Sequence, residues 1–334
     1  MRAHTIAAAL VAVAFVLAAT GCAAVAPSTP SEFALVQYPD AGFGGLYAQT
    51  AAAKKSIDME MYELSDQTEE AALVRAAHRG ITVRVLLDSA YEEKQYNQPA
   101  YSILARGGVQ VRWGDPGVIF HIKTTVFDDT TADISSANVT SVYYATTRDA
   151  TVVDTYPVHV EAIEKTFDSD WGGGSPDADT STAPGLVWSP GAESTMISQI
   201  DNASTSIDFT SEELSDTDVV GALVAAARHG IRCRIAMVDQ EEWHQAFAEV
   251  TAAGCQVHVV PNVTNGFYIH EKLLLTDIGT TDAAMMLGSQ NASYASLARN
   301  RELSIVLTGA QAPSVLAEAE TTFNKDFATA KAWH

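Results

Sequence analysis

Two short stretches carry the side chains best suited to chemistry. Phe120-His121-Ile122-Lys123 runs on to Asp128, and Ile269-His270-Glu271-Lys272 runs on to Asp277. Each reads H-x-K-x4-D, between apolar flanks that suit a buried strand. Residues two apart on a strand project from one face, so His121 is expected beside Lys123 and His270 beside Lys272. An imidazole next to an ammonium is a costly core pair unless an anion completes it. The pattern therefore predicts an anionic substrate. One copy arises easily by chance; two copies at matched places in a repeat do not.

The repeat is visible by self-comparison. Ser56-Ile57-Asp58 recurs as Ser206-Ile207-Asp208, and Glu63-Leu64-Ser65-Asp66 as Glu213-Leu214-Ser215-Asp216. His78-Arg79-Gly80-Ile81 is echoed by Arg228-His229-Gly230-Ile231. Within the first copy, strands are expected over 56–62, 81–87, 109–113 and, for the motif, about 119–127, with shorter ones over 132–136 and 150–153. Helices are expected between Asp66, whose spacing to Glu69 fits a capping box, and Gly80, over 100–106, and from Pro157 to about 168. The second copy follows the same order. Alternating strands and helices argue an α/β fold with mixed, mostly parallel sheets. The chain divides into a leader (1–21), a tether (22–33), a first repeat (34–171), a Gly/Ser/Thr/Pro-rich linker (172–185) and a second repeat (186–330).

The leader has a basic start at Arg2, an apolar run over 6–19 and then Thr20-Gly21-Cys22, the form of an export signal. Gly21-Cys22 also resembles a bacterial lipobox, which makes Cys22 a candidate for lipidation and gives the protein a membrane anchor; plain secretion is the alternative. Beyond it no apolar run is long enough to span a bilayer. Only Cys233 and Cys255 remain, either as a disulfide or as two buried thiols. No Cys/His spacing suggests zinc, and no metal or cofactor is expected. The net charge of −21 repels polyanions and disfavours a general nucleic-acid or anionic-membrane binder, or else only keeps an exported protein soluble.

The duplicated H-x-K-x4-D resembles the mark of the phospholipase D superfamily, and the likeness extends past the motif cores. The family's Gly-Ser-x-Asn element stands as Gly288-Ser289-Gln290-Asn291 and, with Ser135 in place of Gly, as Ser135-Ser136-Ala137-Asn138. That replacement is expected to tighten the turn, because Ser resists positive φ. Downstream acids that orient the imidazoles in the family correspond to Asp149, 28 positions after His121, and Glu302, 32 positions after His270. The resemblance implies two tandem α/β/α repeats about a pseudo-two-fold axis and phosphodiester transfer without metal at one shared site. It implies His121 as nucleophile, forming a phosphohistidine, and His270 as acid and then base. Asp149 and Glu302 would fix the tautomers. Lys123, Lys272, Asn138 and Asn291 would bind phosphate, supported by Ser136 and Ser289. Asp128 and Asp277, near the strand ends, are assigned structural roles.

The substrate implied is a phospholipid, hydrolysed or transferred to another alcohol, with no obligate protein partner. A nuclease of the same superfamily, a cardiolipin-synthase-like transferase and a non-catalytic binding module are the alternatives. Loops over 89–99 and 239–246 are expected to border the pocket; Tyr91, Tyr96 and Trp243 are candidate lipid contacts there, with ordinary helix packing the favoured place for Trp243. The lipobox reading is checked by metabolic labelling with a fatty acid: label is expected on the protein and absent from Cys22→Ser.

Overall fold

The computed structural model describes residues 31–91, 93–174 and 180–334. The expected leader, Cys22, nearly all of the tether and part of the linker lie outside these residues. The first half contains β1 (Phe33–Tyr38), α1 (Gly44–Ala52), β2 (Ser56–Met61), α2 (Gln67–His78), β3 (Thr82–Leu87) and α3 (Glu93–Arg106). It continues through β4 (Gln110–Trp113), β5 (Lys123–Phe127), β6 (Thr131–Ser135), β7 (Thr147–Asp154) and α4 (Pro157–Gly172). The second half opens with β8 (Leu186–Ser189), α5 (Glu193–Asp201), β9 (Ser206–Thr210), α6 (Thr217–Arg228), β10 (Arg232–Asp239) and α7 (His244–Ala253). It then runs through β11 (Gln256–Pro261), β12 (Tyr268–Ile269), β13 (Lys272–Thr276), β14 (Ala284–Gly288) and α8 (Tyr294–Ala298). It ends with β15 (Glu302–Thr308), α9 (Pro313–Thr329) and β16 (Lys331–Ala332).

The duplicated sequence folds into two matching sheets in a pseudo-two-fold arrangement. One is ordered β1-β7-β6-β5-β2-β3-β4, and the other β8-β15-β14-β13-β9-β10-β11-β16. The sheets are mixed, but the expectation that they are mostly parallel is overturned. Among the named strands, parallel pairing is confined to β2-β3-β4, β9-β10-β11 and the short β12-β7 pair. A parallel neighbour needs a long crossover, which α2 and α3 supply for β2-β3-β4 and α6 and α7 for β9-β10-β11. β5 and β6 are joined by Asp128-Asp129-Thr130 alone, which permits only a hairpin; both aspartates have φ of 56° there, a conformation that Asp tolerates.

The inner faces of the sheets pack on each other. Ile134, Val152, Met285, Leu287 and Ile305 are fully or nearly fully buried in one apolar cluster drawn from both halves. Each outer face has its own cluster under the helices, one around Ile57, Leu73 and Val85, the other around Ile207, Leu223 and Ile235. Asp66 caps α2 by accepting from the Thr68 N–H at 2.8 Å. Glu69 does not close the expected capping box: buried, it accepts instead from the Thr50 hydroxyl at 2.6 Å. Cys233 and Cys255 are joined as a disulfide.

Gly288 corrects the turn argument. It does not have positive φ; an added Cβ would stand 2.3 Å from the Leu303 carbonyl oxygen. Close approach of neighbouring strands is what favours glycine at that place. Ser135, its counterpart, fits by bonding: its hydroxyl accepts from the Ala137 N–H at 2.9 Å and from Thr151 Oγ1 at 2.8 Å.

The motif aspartates hold the turn before the second strand of each repeat. Asp128 accepts from the N–H groups of Lys54, Lys55 and Ser56, and Asp277 from those of Ser204, Thr205 and Ser206. Burial alone would raise the Asp277 pKa, but these bonds outweigh it and bring it down to about 2. An unfolded Asp titrates near 3.9, so this stabilisation is complete above about pH 4 and lost as pH falls towards 2. Asp277→Asn is therefore expected to cost about 2–3 kcal/mol at pH 7 and distinctly less at pH 3, read from urea unfolding at the two pH values.

Candidate active site

The histidines do not lie on the motif strands. β5 begins at Lys123 and β13 at Lys272, and His121 and His270 precede them. The shared strand face expected for each His-Lys pair is thus replaced by another arrangement, because the chain before each strand leaves its own sheet for the opposite half. The Arg301 N–H donates to the Ile119 carbonyl at 2.8 Å, and the N–H groups of His270 and Glu271 both reach the Arg148 carbonyl. β12 pairs with β7. Each lysine ammonium donates back to the carbonyl of its own histidine, Lys123 at 2.8 Å and Lys272 at 2.5 Å.

This exchange crosses the acids as well. His121 Nδ1 lies 2.9 Å from Glu302 Oε2, and His270 Nδ1 lies 2.8 Å from Asp149 Oδ1. Each orienting acid therefore serves the imidazole of the other half, not the one it follows in sequence. A carboxylate only accepts, so each Nδ1 carries the proton it donates. His121 Nε2 is then available as a lone pair. Ser136 Oγ donates to Asp149 at 2.6 Å; in the second half Ser296 Oγ (2.6 Å) and Asn300 Nδ2 (3.0 Å) hold Glu302.

Both histidines, Asp149, Asn138 and Asn291 line a single cavity of about 750 Å³. Ser136 and Ser289 do not: both are fully buried, one on Asp149 and the other between the Leu303 backbone groups. Substrate contact expected for these serines is therefore corrected, because their hydroxyls face strand partners behind the site. Lys123 and Lys272, 1% and 4% exposed, lie beneath the histidines and outside the cavity lining. The lining contains no lysine or arginine but does include Glu63, Glu212 and Glu213. Asn138 Nδ2 donates to Glu63 at 3.2 Å, while its Oδ1 is buried without a hydrogen-bond partner.

The loops over 89–99 and 239–246 do not border the cavity, and Trp243 takes the helix-packing place favoured for it. Tyr91 is 88% exposed, Tyr96 Oη sits 3.3 Å from Ser65 Oγ, and Trp243 packs on the outer cluster of the second half. The mouth is formed instead by the segments around Val142-Tyr143-Tyr144 and Val263-Gly266, brought there by β7 and β12. Sequence reasoning missed Tyr62 and Glu212, which hold the same place in the two repeats, one residue before Glu63 and Glu213.

The two imidazoles differ electrostatically. Burial, reinforced by Lys123, pushes His121 down to about 4. Burial also opposes protonation of His270, yet Asp149 and Glu212 outweigh it and raise its pKa above the usual value. Burial and the neighbouring Lys272 push Lys123 down to about 7, so a bound anion would help to keep it charged. Glu302 is held below the usual carboxylate range: burial would raise it, but His121, Lys123 and the Ser296 hydroxyl offset that.

A family model described as cardiolipin synthase, PLD-like domain, matches residues 46–171 and 196–327, and the chain belongs to this phospholipase D-like family as a duplicated domain. The family's chemistry is phosphodiester hydrolysis or transfer. The mitochondrial cardiolipin hydrolase of Xenopus laevis is 26% identical over 134 residues, covering 40% of this chain and 63% of that protein, less than two thirds of its length. The phosphatidylserine synthase of Haemophilus influenzae Rd KW20 has a TM-score of 0.67 at 12% identity, over 90% of this chain and 87% of that one. Polyphosphate kinase of Porphyromonas gingivalis gives 0.65 at 15% identity, over 87% and 50%. At these identities the likeness is one of fold.

Crossed pairing is open to a test that needs no substrate. In urea unfolding, Glu302→Gln and His121→Ala are expected to couple by about 1 kcal/mol or more. Glu302→Gln and His270→Ala should add to within about 0.5 kcal/mol.

Proposed function

We propose that the protein is a metal-independent phosphodiesterase of the phospholipase D type that acts on phospholipids through a phosphohistidine. The observation that carries this reading is the pair of imidazoles in one cavity, each held through Nδ1 by a carboxylate of the opposite half. His121, neutral at physiological pH, attacks phosphorus through Nε2. His270, protonated, gives its proton to the leaving alcohol and then, as a base, activates the water or second alcohol that releases the phosphoryl group. The buried lysines provide positive potential from below, and Asn138 and Asn291 lie on the wall where phosphate oxygens would rest.

Two features favour a lipid over a nucleic acid. A polyanion needs a basic track, whereas the cavity wall carries three glutamates and no basic side chain beyond the two histidines. The mouth is apolar: Val142, Tyr143 and Val263, which line it, are 73%, 50% and 60% exposed. Export, with a lipid anchor at Cys22, would hold the protein near a membrane surface.

The proposal is tested by offering the purified protein vesicles of phosphatidylcholine, phosphatidylethanolamine or cardiolipin beside single-stranded DNA, all in EDTA. Release or exchange of the lipid head group is expected, with activity falling below about pH 4 as His121 gains a proton. It should also fall at alkaline pH as His270 loses one. Labelled phosphate is expected on His121. Nucleotide release without lipid product, or a requirement for metal, overturns the proposal.

A further inference from the structure

The two halves differ where a symmetric site would have them match. In the first, Tyr62 sets its ring edge on His121, with centroids 4.6 Å apart, and its ring lies 4.9 Å from the Lys123 ammonium. In the second, the matching residue is Glu212. Its Oε2 lies 3.3 Å from His270 Nε2 and 3.2 Å from Lys272 Nζ. Its Oε1 accepts from the Tyr268 hydroxyl at 3.0 Å, which in turn accepts from Gln240 Nε2 at 3.1 Å. His270 thus has a carboxylate on each ring nitrogen, Asp149 and Glu212, whereas His121 has one carboxylate and an aromatic edge.

We infer that Glu212 is a positioning residue that breaks the equivalence of the two imidazoles, keeping His270 as the protonated one and so fixing the direction of the reaction. This rests on the proposed phosphodiesterase reading, in which one histidine attacks and the other donates a proton. An imidazole with acceptors on both nitrogens must carry two protons to satisfy them. The charged groups acting on His270 are Asp149 on β7, Glu212 after β9, Lys272 on β13 and Glu63 after β2. Tyr62 adds no charge to His121. Its hydroxyl is directed away to Glu93 at 3.2 Å, and burial holds the phenol well above its usual range.

The same contact has a consequence for binding. Glu212 Oε2 lies on the nitrogen that must release its proton, and beside an ammonium that would attract a phosphate oxygen. An arriving phosphodiester anion replaces that carboxylate oxygen, while the Tyr268 hydroxyl keeps the other oxygen anchored nearby. The Nε2 proton is then free to pass to the leaving oxygen as the P–O bond to the alcohol breaks and the bond from His121 Nε2 to phosphorus forms.

The test is an NMR titration of ¹⁵N-histidine-labelled full-length protein, comparing the unsubstituted protein with Glu212→Gln, a nearly isosteric change. Signals are assigned with His121→Gln and His270→Gln. The His270 midpoint is expected to fall by about one pH unit or more in Glu212→Gln, with His121 unprotonated at neutral pH in both proteins. The alkaline limb of kcat/KM on phospholipid vesicles should move down by the same amount, a shift that a purely structural role would not produce. Tyr268→Phe, which frees one carboxylate oxygen, should shift the His270 midpoint the same way by less, and it supplies the measurement if Glu212→Gln fails to fold. An unmoved His270 midpoint in a protein that turns over lipid overturns this inference alone. A shifted midpoint in a protein inactive on every phosphodiester supports the charge assignment and overturns the functional reading instead.

Discussion

The structure depends on an exchange of carboxylates between its halves. Glu302 and Asp149 are buried acids, 0% and 5% exposed, and each finds its imidazole only across the interface. An unpaired buried carboxylate costs several kcal/mol, so neither half can satisfy its own strand without the other. The residue before each acid repeats the exchange. Arg148 pairs with Asp326 on α9 of the second half at 2.5 Å, and Arg301 with Asp170 on α4 of the first at 2.6 Å. Neighbouring residues of an extended chain point to opposite faces. One face therefore carries the arginine to a helix of the opposite half, and the other carries the acid to that half's histidine. The contacts that dock the sheets are also the contacts that assemble the site.

The exchange also explains why the histidines leave their strands. A motif strand hydrogen-bonded through its whole length would hold His121 within its own sheet. Instead the chain at Ile119 pairs with Arg301, and the chain at Tyr268-Ile269 pairs with β7. The imidazoles then reach the seam, and the lysines, still on the strands, remain below it. Removing one member of a buried Arg-acid pair leaves the other's charge uncompensated, at about 3–5 kcal/mol. The seam is therefore rigid where its chemistry needs fixed distances.

Much of this could be read from residue order, and the part that could not has a common cause. The repeat, the motif histidines and lysines and the α/β character follow from local patterns, and the resemblance to the family points to Asp149 and Glu302. Which acid meets which histidine does not. The separations of 28 positions from His121 to Asp149 and 32 from His270 to Glu302 are equally compatible with pairing inside a half or across two. Strand direction was missed for a related reason: helix alternation suggests crossovers, but the three-residue link from Phe127 to Thr131 forces a hairpin. Trp243 sits in a loop that could border a pocket, but its bulk and apolarity favour packing under the outer helices of the second half, where it lies. Ser296 and Asn300, which hold Glu302, lie outside any motif shared with the first half. Glu212 had a usable signal, its mismatch with Tyr62 directly before the repeated Glu-Leu-Ser-Asp.

A site formed by duplication has a difficulty that its symmetry creates. Identical imidazoles facing one phosphorus atom would titrate as equals, and mutual repulsion would leave one of them protonated without specifying which. Attack and proton donation would then compete for each group. The charge pattern here removes that degeneracy from outside the motifs: one carboxylate and a ring edge act on His121, and two carboxylates act on His270. The negative wall that results also limits what can enter. Positive charge lies at the floor, under the histidines, and Glu63, Glu212 and Glu213 lie above it. One phosphodiester can reach the floor and be stabilised there; a chain of phosphates would leave its remaining charges against those glutamates. On the proposed reading, the residues that would give the reaction its direction would thus also favour an isolated phosphate carried on an apolar body.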